Sequence, residues 1–410
     1  MREASGGREW SFADLRELAL NAPPSPPILH SHARGPDLIV DVLRAWRDGT
    51  VLLADDGAGV PLPPLAWLRP GICHLKITSG STGVRRHVQF RPEQLAADAA
   101  QVVATMGLRQ EWPNLGVISM AHSYGFSNLV LPLLLHGVPL WLLDNPLPET
   151  LRRTMNTEQP LTLPAVPAMW QAWDRVGLDF KPVRLAISAG APLPVALEAV
   201  VFARTGLKIH NFYGSSECGG IAYDRSACPR DQDTLAGEPM ADVEVAIDPA
   251  TACLRITSAA VAEGYVEGNP AQGAANRPGG GSWLTQDLAR VDEQGKVHLL
   301  GRAGDFVSVA GHKLSPVLIE ERLQRIPGVR CCVVFGVPSR NEIRVEDLVA
   351  CVNLVPGTDL DTLKSAFQAL PSIYCPRHWW RCGELQPDAR GKIARNRWRE
   401  RWLRETSGDR

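Results

Sequence analysis

Two stretches of this chain combine residue types that can do phosphate chemistry. The first, Thr78-Ser-Gly-Ser-Thr-Gly83, sets two glycines among four hydroxyl residues directly after a strand-like run. Glycine permits a tight turn whose backbone N–H groups point inward, and the hydroxyls add donors, a combination suited to enclosing phosphate oxygens. The same composition also fits a flexible Ser/Gly surface turn. It does not match the P-loop pattern Gly-x4-Gly-Lys-Ser/Thr, and no Gly-x-Gly-x-x-Gly follows an expected strand. The usual NTPase and Rossmann readings therefore fall away.

The second stretch, Asn211-Phe-Tyr-Gly-Ser-Ser-Glu217, closes an apolar strand starting near Leu207. Tyr213 can stack a base, Gly214 lets a phosphate approach, Ser215 and Ser216 offer hydroxyls, and Glu217 can hold a divalent cation, since hard Mg²⁺ takes oxygen ligands. A strand-end turn with a solvated glutamate is the plainer alternative. Asp287 and Arg302 bracket a strand pair and also read as surface charges. Lys392 sits in an Arg-Gly-Lys loop near the C-terminus, where a solvated lysine is the ordinary case.

Positioning these residues requires strands that end where the loops begin. Strand-like and helix-like stretches alternate after about residue 70: a strand over 71–77, a helix over 91–106, a strand over 115–119, a helix over 128–135, then strands over 139–143 and 183–188. That alternation predicts an α/β architecture with a largely parallel sheet. Between Val243 and Tyr265 the pattern shifts to short alternating strands, as in a small β-rich subdomain. The last hundred residues read as strands over 330–335 and 347–354, helices over 316–326 and 360–370, and a basic helix over 393–404, which makes a small α+β domain.

Composition narrows the classes. The 410 residues carry 43 basic and 44 acidic side chains with 45% hydrophobic content, enough for a large buried core and unlike a disordered chain. Balanced charge argues against a dedicated nucleic-acid binder, which needs a basic face. No stretch of secretory length opens the chain. The apolar region from Leu115 to Leu143 is interrupted by His122, Asn128, Pro132 and His136, short of the roughly 18 uninterrupted apolar residues of a membrane span. Nine cysteines include no Cys-x-x-Cys pair, which fits small buried thiols in a reducing cytoplasm.

In their order and spacing these segments resemble the adenylate-forming superfamily of acyl- and aryl-CoA synthetases, carrier-protein ligases, adenylation domains and luciferases. Thr78 to Gly83 matches its phosphate loop, Ser188-Ala-Gly-Ala-Pro-Leu193 its adenine-side turn, and Tyr213 to Glu217 its Tyr-Gly-x-Thr-Glu motif. Gly264-Tyr265, Thr285-Gln-Asp287, Gly301-Arg-Ala-Gly-Asp305, Val309 to Pro316 and Gly391-Lys392 continue the match. The resemblance implies a large N-terminal domain of layered parallel sheets with helices over residues 1–302. A small mobile C-terminal α+β domain over 303–410 would turn at Gly304.

It further implies a two-step reaction. A small carboxylic acid attacks the α-phosphate of ATP with Mg²⁺ to give acyl-AMP, and a thiol of CoA or of a carrier-protein phosphopantetheine then takes the acyl group. On that template Thr78, Ser79, Gly80, Ser81, Thr82, Gly83 and Arg86 bind phosphates, and Tyr213 stacks on adenine beside Asn211, Gly214 and Ser215. Ala189, Gly190 and Ala191 line the adenine and acyl side. Ser216 touches the α-phosphate, Glu217 holds Mg²⁺, and Asp287 and Arg302 bind ribose. Lys392 bridges carboxylate and α-phosphate, stabilising developing charge. His122, Ser123, Tyr124 and Gly125 correspond to the acid pocket, with His122 either a gating residue or a packed histidine.

Four departures stand out. Arg85-Arg86 replaces the usual Pro-Lys, Gln286 replaces a glycine, Ser308 replaces a lysine, and the stretch before Thr78 is short, as if the first subdomain were abbreviated. A degenerate subunit that binds nucleotide or adenylate without turnover is the alternative they raise. No carboxylate occurs between Asn114 and Leu143, which argues against an α-amino acid, whose ammonium would need a partner. An acyl or aryl acid fits better. Trp170 and Trp173 are either pocket walls or core. The arginines of the last helix are either a solvated face or a dock for CoA phosphates or an acidic acyl carrier protein.

Overall fold

The computed structural model describes residues 1–4, 7–55, 57, 61–78, 86–143, 145–266, 277–303, 305–310, 312–339, 341, 344–367, 370–388 and 393–407. The chain divides into two compact units. The larger takes Met1–Ile247, Arg255–Thr285 and Val291–His298; the smaller takes Asp248–Leu254, Gln286–Arg290 and Leu299–Arg410.

In the larger unit the strands Leu140–Leu142, Asn114–Gly116, Leu161–Ala165, Val183–Ser188 and Ile209–Ser215 lie side by side in that order, all parallel. Most of their residues are buried, as in a sheet covered by helices. Beyond Ile209–Ser215 the direction reverses, with Gly219–Tyr223 and Leu235–Pro239 antiparallel. A second sheet orders Gly264–Tyr265, His87–Phe90, His74–Ile77, Val51–Ala54 and Ile28–Ser31, the last three parallel to one another. The α/β reading with parallel strands and helices holds.

Local sequence explains where the helices stop. Pro92–Met106 starts with proline in its first turn, where the missing N–H costs nothing, and ends at Gly107 with φ near 68°, a left-handed C-cap. The expected helix over 128–135 is longer and irregular. It starts at Ser123, passes through a π-helical turn at Phe126–Val130 and ends at His136. The strand expected over 115–119 stops at Gly116.

Trp170 and Trp173 are fully buried and meet edge to face at 5.3 Å, with Phe180 at 5.4 Å from Trp170. They are core, not pocket wall, each contributing on the order of 150–250 Å² of buried surface.

The smaller unit holds a three-stranded sheet, Val329–Pro338, Glu346–Leu354 and His378–Arg381, and the helices Pro316–Gln324, Leu360–Phe367 and Arg395–Ser407. The last helix is not simply a solvated basic face. Arg395 pairs with Asp305 and Glu320 and its Nε donates to the Val334 carbonyl at 2.7 Å; Arg399 Nε donates to the Gly336 carbonyl at 2.7 Å. Arg401 lies over the Trp380 and Trp398 rings. Charge in this helix thus clamps the neighbouring strand. All nine cysteines are free thiols, and no helix among the described residues is long and apolar enough to cross a membrane.

Candidate active site

The parallel strands of the larger unit end on one side, and the candidate residues follow their carboxyl ends, where open α/β sheets bind ligands. The segment Ser119–Gly125 follows Asn114–Gly116, Val166 follows Leu161–Ala165, Ala189–Ala191 follows Val183–Ser188, and Tyr213–Glu217 ends Ile209–Ser215 and the turn after it. Ala189 is buried and Gly190 exposed, the latter at φ near 87°.

A chain of contacts runs from Thr78 through Tyr265 and Glu217 to Ser123. Thr78 and Arg86 close the mouth of the loop between the antiparallel strands His74–Ile77 and His87–Phe90. Thr78 N donates to the Arg86 carbonyl at 2.9 Å, and Arg86 N donates to Thr78 Oγ1 at 3.0 Å. The Arg86 guanidinium lies 5.1 Å from the centre of the Tyr265 ring. Tyr265 donates its hydroxyl to Glu217 Oε1 at 2.9 Å. Glu217 N in turn donates to Ser215 Oγ at 3.1 Å, and Ser123 Oγ donates to Ser216 Oγ at 2.9 Å. The mouth of the loop after Thr78, the Glu217 carboxylate and the segment holding Ser123 are thus tied together.

Tyr265 reaches Glu217 because Gly264–Tyr265 pairs with His87–Phe90, opposing Tyr265 to Val88, while Ala262 N donates to the Glu217 carbonyl at 2.8 Å. Burial, with the Glu217 charge beside it, pushes the Tyr265 hydroxyl far above the usual phenol range. It therefore stays protonated and a donor at any physiological pH.

The segment 122–125 is shaped by close packing. Tyr124 lies 5.9 Å from Phe212 between ring centroids, and burial pushes its hydroxyl well up as well. Gly125 is buried against Ser119, whose carbonyl oxygen a Cβ would meet at 2.1 Å, so no side chain fits. His122 is half-buried and its carbonyl accepts from Phe126 N at 2.8 Å, opening the helical stretch.

Beneath the site lies a buried polar cluster that sequence reasoning missed. Lys76, one residue ahead of the last residue of its strand, sits 3.4 Å from Asp98 Oδ2 and 3.2 Å from Ser127 Oγ. Asp98 also accepts from Ser127 and from Gly220 N. Gly219, at φ near 68°, passes so close that a Cβ there would stand 2.0 Å from Asp98 Oδ1. The cluster joins the strand entering the phosphate loop, the helix Pro92–Met106, the π-helical turn and the strand leaving the Tyr213–Glu217 motif. In the sequence Tyr265 stands out only as part of the Gly264-Tyr265 match. The signal that could have raised it is a tyrosine paired one strand from the loop.

Asn211 is spent structurally: its Nδ2 donates to the Ala236 carbonyl at 3.1 Å. Behind it Lys208 pairs with Glu198 and with Asp224 at 2.6 Å, and Arg230 pairs with Glu198 at 2.9 Å while donating to the Leu193 carbonyl at 2.6 Å. This buried network fixes the Ala189–Leu193 turn against the strand carrying Tyr213. In the smaller unit Arg302 Nε donates to Asp287 Oδ1 at 3.0 Å. Ser79, Gly80, Ser81, Thr82, Gly83, Gly304 and Lys392 lie outside the described residues.

A family model described as AMP-binding enzyme matches residues 45–266. The chain belongs to that family. Among curated relatives, 3-[(3aS,4S,7aS)-7a-methyl-1,5-dioxo-octahydro-1H-inden-4-yl]propanoyl:CoA ligase of Mycobacterium tuberculosis is 26% identical over 347 residues, 80% of this chain and 66% of that protein. Feruloyl-CoA synthase of Amycolatopsis is 28% identical over 285 residues, 65% of this chain and 57% of that protein. The chain therefore spans about three-fifths of the length of such relatives. ATP-bound MatB of Rhodopseudomonas palustris superposes with a TM-score of 0.83 at 20% identity, covering 97% of this chain and 94% of that one. o-Succinylbenzoate CoA synthetase of Bacillus subtilis, solved with its acyl-adenylate, gives 0.80 at 18% identity, covering 96% and 94%. These two likenesses establish the fold of the AMP-binding family for this chain.

Proposed function

We propose that this protein activates an acyl or aryl carboxylic acid with ATP and passes it to a thiol, with CoA favoured over a carrier-protein phosphopantetheine. The observation that carries the reading is the Ser123–Ser216 hydrogen bond beside the Glu217–Tyr265 pair, which sets the acid-pocket segment against the phosphate-handling motif. The relatives named above are CoA ligases and synthases, which supports CoA as acceptor.

In the first step a carboxylate oxygen attacks the α-phosphorus, the bond to the β-bridging oxygen breaks, and pyrophosphate leaves. In the second the thiolate attacks the acyl carbon and AMP leaves. The donor set fits Mg²⁺: a carboxylate among hydroxyls is a hard oxygen environment. Bound there through Glu217, the ion would neutralise phosphate charge. Tyr265 holds the Glu217 carboxylate in one orientation, and Ser216, held by Ser123, presents its hydroxyl toward the α-phosphate. Tyr213, Gly190 and Ala191 take the adenine side, Asp287 and Arg302 the ribose, and Thr78 and Arg86 the phosphates with residues 79–83. Lys392 stabilises the charge developing on carboxylate and α-phosphate. The division into residues 1–302 and 303–410, turning at Gly304, belongs to the same proposal.

Pyrophosphate release with MgATP and a panel of aryl, short-chain and long-chain acids tests it, with hydroxylamine trapping the adenylate. Lys392→Ala should abolish most release while ATP binding persists. Silence of the wild type across the panel, with ATP still bound, would instead support the degenerate subunit that the Arg85-Arg86 and Ser308 substitutions suggest.

A further inference from the structure

One cluster of metal-ligating side chains plays no part in the acid-activating chemistry. His30 and His32 flank Ser31 at the carboxyl end of the strand Ile28–Ser31, and Asp55 follows the neighbouring parallel strand Val51–Ala54, with Ser31 registered against Ala54. One ligand atom from each of His30, His32 and Asp55 lies within 4.8 Å of the others. We propose that these three residues form a binding site for a zinc-class divalent cation.

The geometry favours zinc over an ordinary ion pair. A tetrahedral zinc with ligands at about 2.0–2.1 Å holds neighbouring ligand atoms about 3.3 Å apart. His30 Nε2 and Asp55 Oδ2 already stand 3.3 Å apart. His32 is exposed and its ligand nitrogen lies within 4.8 Å of the other two, so the ordinary rotamer freedom of a surface residue suffices to bring it onto the remaining edges. Its Nδ1 faces the Asp55 carbonyl at 3.3 Å. An Nδ1–H donated there fixes the tautomer whose Nε2 carries the lone pair, the outer hydrogen bond that ligating histidines ordinarily make. Asp55 is buried and its Oδ1 accepts from Gly57 N at 3.1 Å, which orients the carboxylate in the same manner.

A third imidazole stands in the same row of the sheet. Continuing the pairing of Leu53 with Leu75 sets Asp55 level with Ile77, which opposes His87, and alternation turns His32, Asp55 and His87 to one face. His87 is 92% buried and among the described residues its Nε2 has no hydrogen-bond partner, a costly state that a nearby cation or its bound water would relieve. Two histidines and a carboxylate with one position left for water match zinc chemistry, and imidazole nitrogen disfavours magnesium and calcium. The cation would tie the ends of two strands beside the one that leads into Thr78.

Tag-free protein stripped by chelator and titrated with ZnCl₂ in a calorimeter tests the proposal. One zinc per chain with micromolar or tighter affinity is expected, together with a zinc-dependent rise in melting temperature and the visible d–d absorption of a tetrahedral site when Co²⁺ replaces zinc. His32→Ala alters an exposed side chain and should keep the fold while weakening zinc at least about 100-fold, since even outer-shell changes cost 10- to 100-fold. Asp55→Asn should do the same. Wild type that takes up no stoichiometric zinc, or His32→Ala protein that keeps wild-type affinity, overturns the assignment and leaves His30 and Asp55 as a hydrogen-bonded pair.

Discussion

The hydroxyl of Tyr265 donates a 2.9 Å hydrogen bond to Glu217, 48 residues earlier in the chain. Neither residue reaches the other through local structure. The contact exists because the two-residue strand Gly264–Tyr265 docks on the strand His87–Phe90. A hydrogen bond to a charged group contributes about 1.5–3 kcal/mol, or about 10- to 100-fold in rate where it orients a reacting partner.

Tyr265→Phe should therefore lower pyrophosphate release about 10- to 100-fold and raise the Mg²⁺ concentration needed for half-maximal rate, in protein that still folds cooperatively. Steady-state kinetics at varied Mg²⁺ decide it; a variant with wild-type kinetics removes Tyr265 from the site.

Lys76→Met leaves the Asp98 carboxylate buried without its cation. Removing one partner of a buried pair costs about 3–5 kcal/mol, whereas replacing both costs less. Chemical denaturation should show that loss for the single variant and a partial recovery in Lys76→Met/Asp98→Asn. Equal stability of single and double variants would show that the pair is not coupled.

Glu198 answers two buried cations, Lys208 and Arg230, at zero exposure. Glu198→Ala should destabilise the larger unit by about 3–5 kcal/mol and, by loosening the Ala189–Leu193 turn, raise KM for ATP. If ATP affinity holds while stability falls, the network braces the fold but not the adenine side.

Burial depresses the His74 imidazole well below its usual range, with Lys76 adding to the effect, and burial likewise depresses His210. Both stay neutral in the folded state while the unfolded chain takes up protons below about pH 6.5, so stability is full above that pH and falls as pH drops. Each contributes up to about 1.4 kcal/mol per pH unit of loss. Melting curves between pH 7.5 and 5.5 should fall accordingly, and His74→Phe, which keeps a flat ring stacked on Phe126, should flatten the slope. An unchanged slope in that variant assigns the acid sensitivity elsewhere.

Much of this protein was legible from residue order. The alternation of apolar strands with helical stretches fixes the α/β class, because period and length are local properties. The Ser/Gly/Thr loop, the Tyr-Gly-Ser-Ser-Glu segment and the Arg-Gly-Lys loop each leave a plainer reading open, and only their order and spacing together resemble the adenylate-forming enzymes. The strand Val183–Ser188 falls on its expected residues. What the tertiary structure alone decided is pairing across distance. Lys76 with Asp98 and Ser127, Glu198 with Lys208 and Arg230, and Glu217 with Tyr265 join residues 10 to 51 positions apart, and no local pattern announces which charges will be buried together. The arginines of the last helix likewise read as a solvated run until the sheet they clamp is in view. A side chain's type is set by sequence, but its partner and its dielectric surroundings are set only when the chain closes on itself.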